Sequence, residues 1–334
     1  MDTTGGATRL AWMDLGRCIA AICVIAIHVS GVFCKDSSAS AFYLANIVNG
    51  FSRFSVPAFF MFSGYLLCGR PTLKPTSYVF SKVVGLVKVY LFASLAYYLF
   101  DRFYQRQDMK SWPVDFLAGH AHFHLWFIPA LIAVYFFYPL FMRILDEDKK
   151  YVFVFVVVSI ILINLSGVMV VATNSGTSFQ VESSLGPLYF LLGFCADSIF
   201  RFSKKICWFI FLAASFAIAA ISTLMAARAV DIPLLDPGLY TGVLVFTQAL
   251  AFFMMIKDVK IQATFLPLLS RVAKLILGIY IFHHAFMVFV FDALNHIGGF
   301  SQSEIVILAI PLVFLFSALF TAAIRKINFF SSFL

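Results

Sequence analysis

An all-α membrane protein, a polytopic bundle of about ten transmembrane helices forming one domain over residues 1–334, is the fold class that the sequence predicts, on three observations. Hydrophobic residues make up 62% of the chain and charged residues only 12%, about half the charge of an ordinary soluble domain. The apolar residues are gathered into runs close to the ~20 that a helix needs to cross a bilayer. What remains between the runs is too short for a separate soluble domain of roughly 50 residues or more.

Ten runs qualify, near 13–34, 48–68, 82–100, 124–145, 151–172, 184–200, 206–228, 238–256, 272–292 and 303–325. The first lacks the basic leader and the A-x-A cleavage site of a signal peptide and contains His28, so it reads as a retained helix. The second carries Arg53, Pro57 and the run FFMFSGY. Between the third and fourth, the segment around Trp112 and Pro113 is too short to span and is expected along the interface. The loop LDEDKK, Leu145 to Lys150, is a solvated charge cluster. The sixth run, LGPLYFLLGFCADSIF, is short and holds Pro187, Gly193 and Asp197.

With the N-terminus inside, sixteen of the 24 lysines and arginines fall on the cytoplasmic face and five on the other, while Arg17, Arg53 and Lys88 lie within spans. The positive-inside rule then places both termini in the cytoplasm. The net charge of +8 therefore reads as topology, and no nucleic-acid partner is expected. The six cysteines form no C-x-x-C pair, which signals neither a disulfide framework nor a zinc site.

The first run carries the chemistry. Arg17 and His28 are eleven residues apart, three helical turns plus about 20°, so both project from one face with His28 about 16 Å further along. Asp14 falls on the same side, with the small residues Ala21 and Gly31. Taken singly, Arg17 reads as an interfacial arginine paired with Asp14, and His28 as an interhelical hydrogen-bonding residue. Together, a guanidinium that suits phosphate and an imidazole that suits proton abstraction fit group transfer from a phosphorylated donor to an acceptor arriving from the other side.

Arg53 lies near the outer side, away from the basic loops, where an interfacial anchor and a functional intramembrane arginine are alternatives. Ser63 and Gly64 suit close helix packing, with a covalent acyl-serine left open. In HAHFH, alternate residues His120, His122 and His124 would share a face if extended, as in a metal site. No carboxylate or cysteine stands close by in the sequence, and no metal is expected. His283 and His284 lie within the ninth run, where a satisfied interhelical histidine and a site residue are alternatives. Glu182 and Asp197 are the carboxylates best placed to support chemistry.

The stretch WMDLGRCIAAICVIAIH resembles the first helix of the acyltransferase 3 family of integral-membrane acyltransferases, whose signature is a basic residue, ten intervening residues and a histidine. FSRFSVPAFFMFSGYLL, FHLWFIPAL, PLYFLLGFCAD and LGIYIFHHAF resemble further blocks in the same order, from about Trp12 to Ile324. The resemblance implies transfer of an acyl group, acetyl in the first place, from cytoplasmic acetyl-CoA to a hydroxyl of a surface polysaccharide or its lipid-linked precursor. No bound cofactor is expected. It makes His28 the general base and Arg17 the donor-phosphate or orienting residue, supported by Asp14. It makes Arg53, Ser63, His124, Trp126 and His283 candidates for binding substrate.

The short form is similar to stand-alone O-acetyltransferases of bacterial surface polysaccharides, including the enterobacterial common antigen type. This implies the bacterial inner membrane, contacts with membrane lipids, and polysaccharide-assembly proteins as candidate partners. Two departures stand out. The chain ends soon after the tenth run, leaving no extra-cytoplasmic domain, and Arg70 followed by Lys74 does not form the R-x-x-R pair of some members. The rival readings are a transporter or flippase of lipid-linked sugars, since a polar stripe also suits a permeation path, and a non-catalytic assembly subunit.

Overall fold

The computed structural model of the chain describes residues 4–68, 75–106, 112–117, 119, 121–144, 151–159, 185–200, 202–228, 240 and 242–327. Regular structure among them is entirely helical: α1 (Thr4–Gly31), α2 (Phe42–Ser52), α3 (Ser55–Cys68), α4 (Pro75–Phe103), α5 (Trp112–Leu117) and α6 (Phe127–Ile144). Residues 151–159 form α7. There follow α8 (Leu185–Ile199), α9 (Lys204–Arg228), α10 (Val243–Ile256), α11 (Leu266–Ala273), α12 (Ile276–Ile297) and α13 (Gln302–Ile324). Among the described residues, five stretches are long and apolar enough to cross a membrane: Ala11–Gly31, Ser77–Phe103, Lys204–Arg228, Ile276–Ile297 and Gln302–Ile324. Shorter apolar helices, including Phe127–Pro139, Gly186–Ala196 and Val243–Ile256, accompany them.

Three expected spans are corrected. The run at 48–68 is two helices, α2 and α3, with the break at Arg53 and Phe54. Pro57 explains it: proline has no N–H to return to the carbonyl four residues back, which is that of Arg53, and its ring crowds that carbonyl. Helical bonding resumes one step later, with Ala58 N donating to Phe54 O at 2.9 Å. Within the run at 238–256, whose first residues lie partly outside the described ones, α10 begins at Val243, after Gly242 at φ −56°, ψ 136°. The run at 272–292 begins at Ile276 after the separate α11, and continues to Ile297, where Gly298 at φ 72° ends it. Part of the run at 151–172, and the 145–150 loop, lie outside the described residues.

Helix α1 is the central staff, packing on α2, α3, α10, α11, α12 and α13. Its first half enters a large aromatic core with α3, α6, α8 and α10, where Trp12 meets Phe62, Tyr65 and Phe253 edge to face. Its second half packs with α2, α12 and α13 through Ile25 and Val29. Arg17 and His28 are thereby carried into two different packing layers of one rigid rod.

Helices α3 and α8 approach through glycine. A Cβ on Gly193 would overlap the backbone of Met61, and one on Gly64 the carbonyl of Phe190. Close backbone approach of this kind is how membrane helices gain packing energy without a hydrophobic drive. Overpacking costs about 1–3 kcal/mol when neighbours must shift, so Gly193→Ala is expected to lower the unfolding midpoint in detergent clearly. Gly85→Ala on exposed α4, where nothing lies within 4 Å, is the control and is expected to hold or raise it. Equal midpoints for the two variants would contradict this packing.

Candidate functional site

The stripe expected on α1 is present. Arg17 Nη1 stands 3.9 Å from Asp14 Oδ1, with both side chains only about a third exposed or less, at 30% and 26%. At that separation the pair is a loose ion pair rather than a closed hydrogen bond, which leaves the guanidinium free to take another anion. Arg17 also lines open space.

That space is a series of cavities along α1. The largest, of about 220 Å³, is walled by Arg17, Val24, Phe59, Ser63, Leu131 and Tyr280, among others. A cavity of about 80 Å³ shares Arg17 and Ser63 with it and extends to Tyr78 and Tyr135. A narrow void of about 10 Å³ shares Val24, Phe59, Ile276 and Tyr280 with it and ends at His283. The His283 ring lies 5.0 Å from that of His28 between centroids. Voids that share wall residues are thus aligned from Arg17 to within one ring of His28, apolar along their walls and polar at the two ends.

At the far end, histidines from three elements converge. The segment before α6 supplies His122 and His124, whose Nδ1 atoms are 2.7 Å apart. Helix α12 supplies His283 and His284, and α1 supplies His28, 6.3 Å from His124 between centroids. Tyr97 of α4 positions α12: its hydroxyl donates to Ile281 O at 2.7 Å and accepts from Ala285 N at 3.2 Å. These are the two backbone atoms that an α-helix normally joins directly, so the phenol stands in the ladder at the turn bearing both histidines. Tyr280 fixes the other side by donating to the His124 carbonyl.

Arg53 joins this end through the break between α2 and α3. Its Nε donates to Asn49 Oδ1 at 2.7 Å, and Asn49 Nδ2 donates to Ile27 O at 3.2 Å and Ser30 Oγ at 3.1 Å. The arginine is therefore tied to the turn of α1 that carries His28. Ser63 lies instead on the cavity wall near Arg17, with its hydroxyl donating to Phe59 O at 2.9 Å.

Of the expected site residues, Arg17, Asp14 and Ser63 gather at one end, and His28, Arg53, His124 and His283 at the other. Trp126 packs on Tyr240, at 5.9 Å between centroids. Glu182 and His120 lie outside the described residues, as does the side chain of Asp197. Sequence reasoning did not single out Tyr97, Asp101, Asn49 or Tyr280. For Tyr97 and Asp101 the signal was present as polar groups one turn apart at the end of an apolar run.

Residues 10–325 match the model of a family described as an acyltransferase domain. No curated protein and no solved structure matches the chain.

Proposed function

The chain belongs to the acyltransferase 3 family, and from that membership we propose that it is a membrane O-acetyltransferase moving acetyl from cytoplasmic acetyl-CoA to a hydroxyl of a surface polysaccharide or its lipid-linked precursor. The observation that carries this reading is the cavity path from Arg17 to the histidines. At about 220 Å³ its main chamber is smaller than the ~300–1,000 Å³ of a site that swallows a whole ligand. It suits the slender thioester arm of the donor, with the nucleotide left outside.

In this reading the ten-run topology, with both termini cytoplasmic in a bacterial inner membrane, puts the Arg17 end towards the cytoplasm. Arg17 holds donor phosphate, with Asp14 as its loose ion-pair neighbour. The apolar walls exclude water from the thioester. His28 takes the proton of the acceptor hydroxyl as its oxygen attacks the thioester carbonyl. The carbon–sulfur bond then breaks, and the thiolate leaves and is protonated. Arg53, tied to the same turn of α1, faces the developing negative charge or the acceptor. His124 and His283 shape the acceptor end; Ser63 lines the donor arm, and Trp126, packed on Tyr240, borders the acceptor approach from outside the histidine cluster.

The test is transfer by purified protein in lipid nanodiscs, with acetyl-labelled acetyl-CoA and a panel of lipid-linked glycans. Label on a glycan, absent when protein is omitted, is the expected result. Movement of an unmodified lipid-linked sugar across the bilayer, with acetyl-CoA neither bound nor consumed, would replace this reading with the transporter.

A further inference from the structure

We propose that His122, His124 and His284 form a binding site for a divalent transition-metal ion of the zinc class, with Asp101 as its outer partner. One ring nitrogen from each of the three histidines can be chosen so that all lie within 4.8 Å of one another. Nitrogens around a tetrahedral zinc stand about 3.4 Å apart, given bonds of about 2.0–2.1 Å. That spacing falls within the range this set covers.

The proton positions argue for a cation between the rings. His124 Nε2 faces the carbonyl of Ile281 at 3.4 Å, which calls for a proton on that nitrogen. His122 Nε2 faces Asp101 Oδ2 at 3.7 Å, a separation at which the carboxylate favours a proton on that nitrogen without closing a hydrogen bond. Neutral rings so arranged turn two Nδ1 lone pairs towards each other across 2.7 Å. In that tautomer a cation at or beside the contact is favoured. His284 adds a third nitrogen: it is 8% exposed and its Nδ1 is buried without a hydrogen-bond partner among the described residues.

Asp101 supplies the remaining element. It is 4% exposed, and its Oδ1 is also buried without a partner among the described residues. A buried carboxylate is costly unless a nearby positive charge offsets it. A carboxylate on the outer nitrogen of a ligating histidine is the recurrent arrangement that fixes the tautomer and strengthens the ligand. The absence of a nearby carboxylate in the sequence of HAHFH argued against a metal. Asp101 and His284 arrive from α4 and α12, and only the fold brings them in.

The inference stands apart from acyl transfer and is tested without it. Protein purified without a polyhistidine tag is assayed for metal by mass spectrometry, then stripped with chelator and titrated with Co²⁺ alone. The expected results are about one equivalent of zinc per chain and saturable d–d bands of tetrahedral intensity. His122→Gln and His284→Gln each lose both signals, while exposed His296→Gln keeps them. The absence of zinc together with no d–d bands in the wild type, which requires no variant to fold, would overturn the site. So would metal retained by both His122→Gln and His284→Gln.

Discussion

His28→Gln is expected to lower acetyl transfer by about 10²–10⁴-fold while leaving acetyl-CoA binding within a few-fold of wild type, the range a positioned general base contributes. Glutamine keeps roughly the volume of the ring and a hydrogen-bonding head, so packing against Phe123 and His283 at centroid distances of 5.3 and 5.0 Å is largely preserved. It cannot take a proton near neutral pH. Because Arg17 and His283 line opposite ends of the cavity series, the donor meets the base only at its reactive tip. Binding and chemistry are thereby separated along α1. Initial rates in nanodiscs, with donor affinity measured in parallel, check this; a folded variant with full activity would remove His28 from the reaction.

The parts of the fold that were legible in the sequence are those set by local rules. Hydropathy located the helices because a membrane allows little other regular structure for an apolar run, and helical pitch placed Arg17 and His28 on one side because they belong to one rod. The break at Arg53 was also written locally, in Pro57, but a window sized for a whole span runs across it. The shortness of α10 was hidden for a similar reason: TGVLVF is apolar enough to extend the run in either direction, and the change to non-helical backbone at Gly242 carries no hydropathy signal.

The acceptor end was legible residue by residue and illegible as a constellation. His124 and His283 were candidates for reasons of type and place, yet their meeting depends on Tyr97, 184 positions from the Ile281 carbonyl it grips. Nothing in a one-dimensional pattern links those positions. Asp101 was passed over because its histidine partner follows a separate segment, 21 residues later in number but adjacent in space, with the two atoms 3.7 Å apart. Trp126 shows the converse: its near neighbour His124 is buried in the cluster, while the indole itself packs on Tyr240.

Arg17→Ala is expected to raise the KM for acetyl-CoA by about ten- to a hundredfold with kcat changed far less, since a hydrogen bond to a charged group contributes about 1.5–3 kcal/mol. The split follows from position. Arg17 lies about 16 Å from His28 along α1, at the far end of the cavities, so it grips ground state and transition state alike, and such uniform binding enters KM alone. Arg17→Lys keeps the charge but loses the planar fork that matches phosphate, and an intermediate KM is expected. Removing Asp14 tests the loose pair: Asp14→Asn frees the guanidinium of its 3.9 Å neighbour, and donor affinity is expected to hold or rise. If Arg17 were only an interfacial anchor, the alanine variant would lower the unfolding midpoint and leave KM where it was. Donor titration and thermal unfolding of the same preparations separate the two.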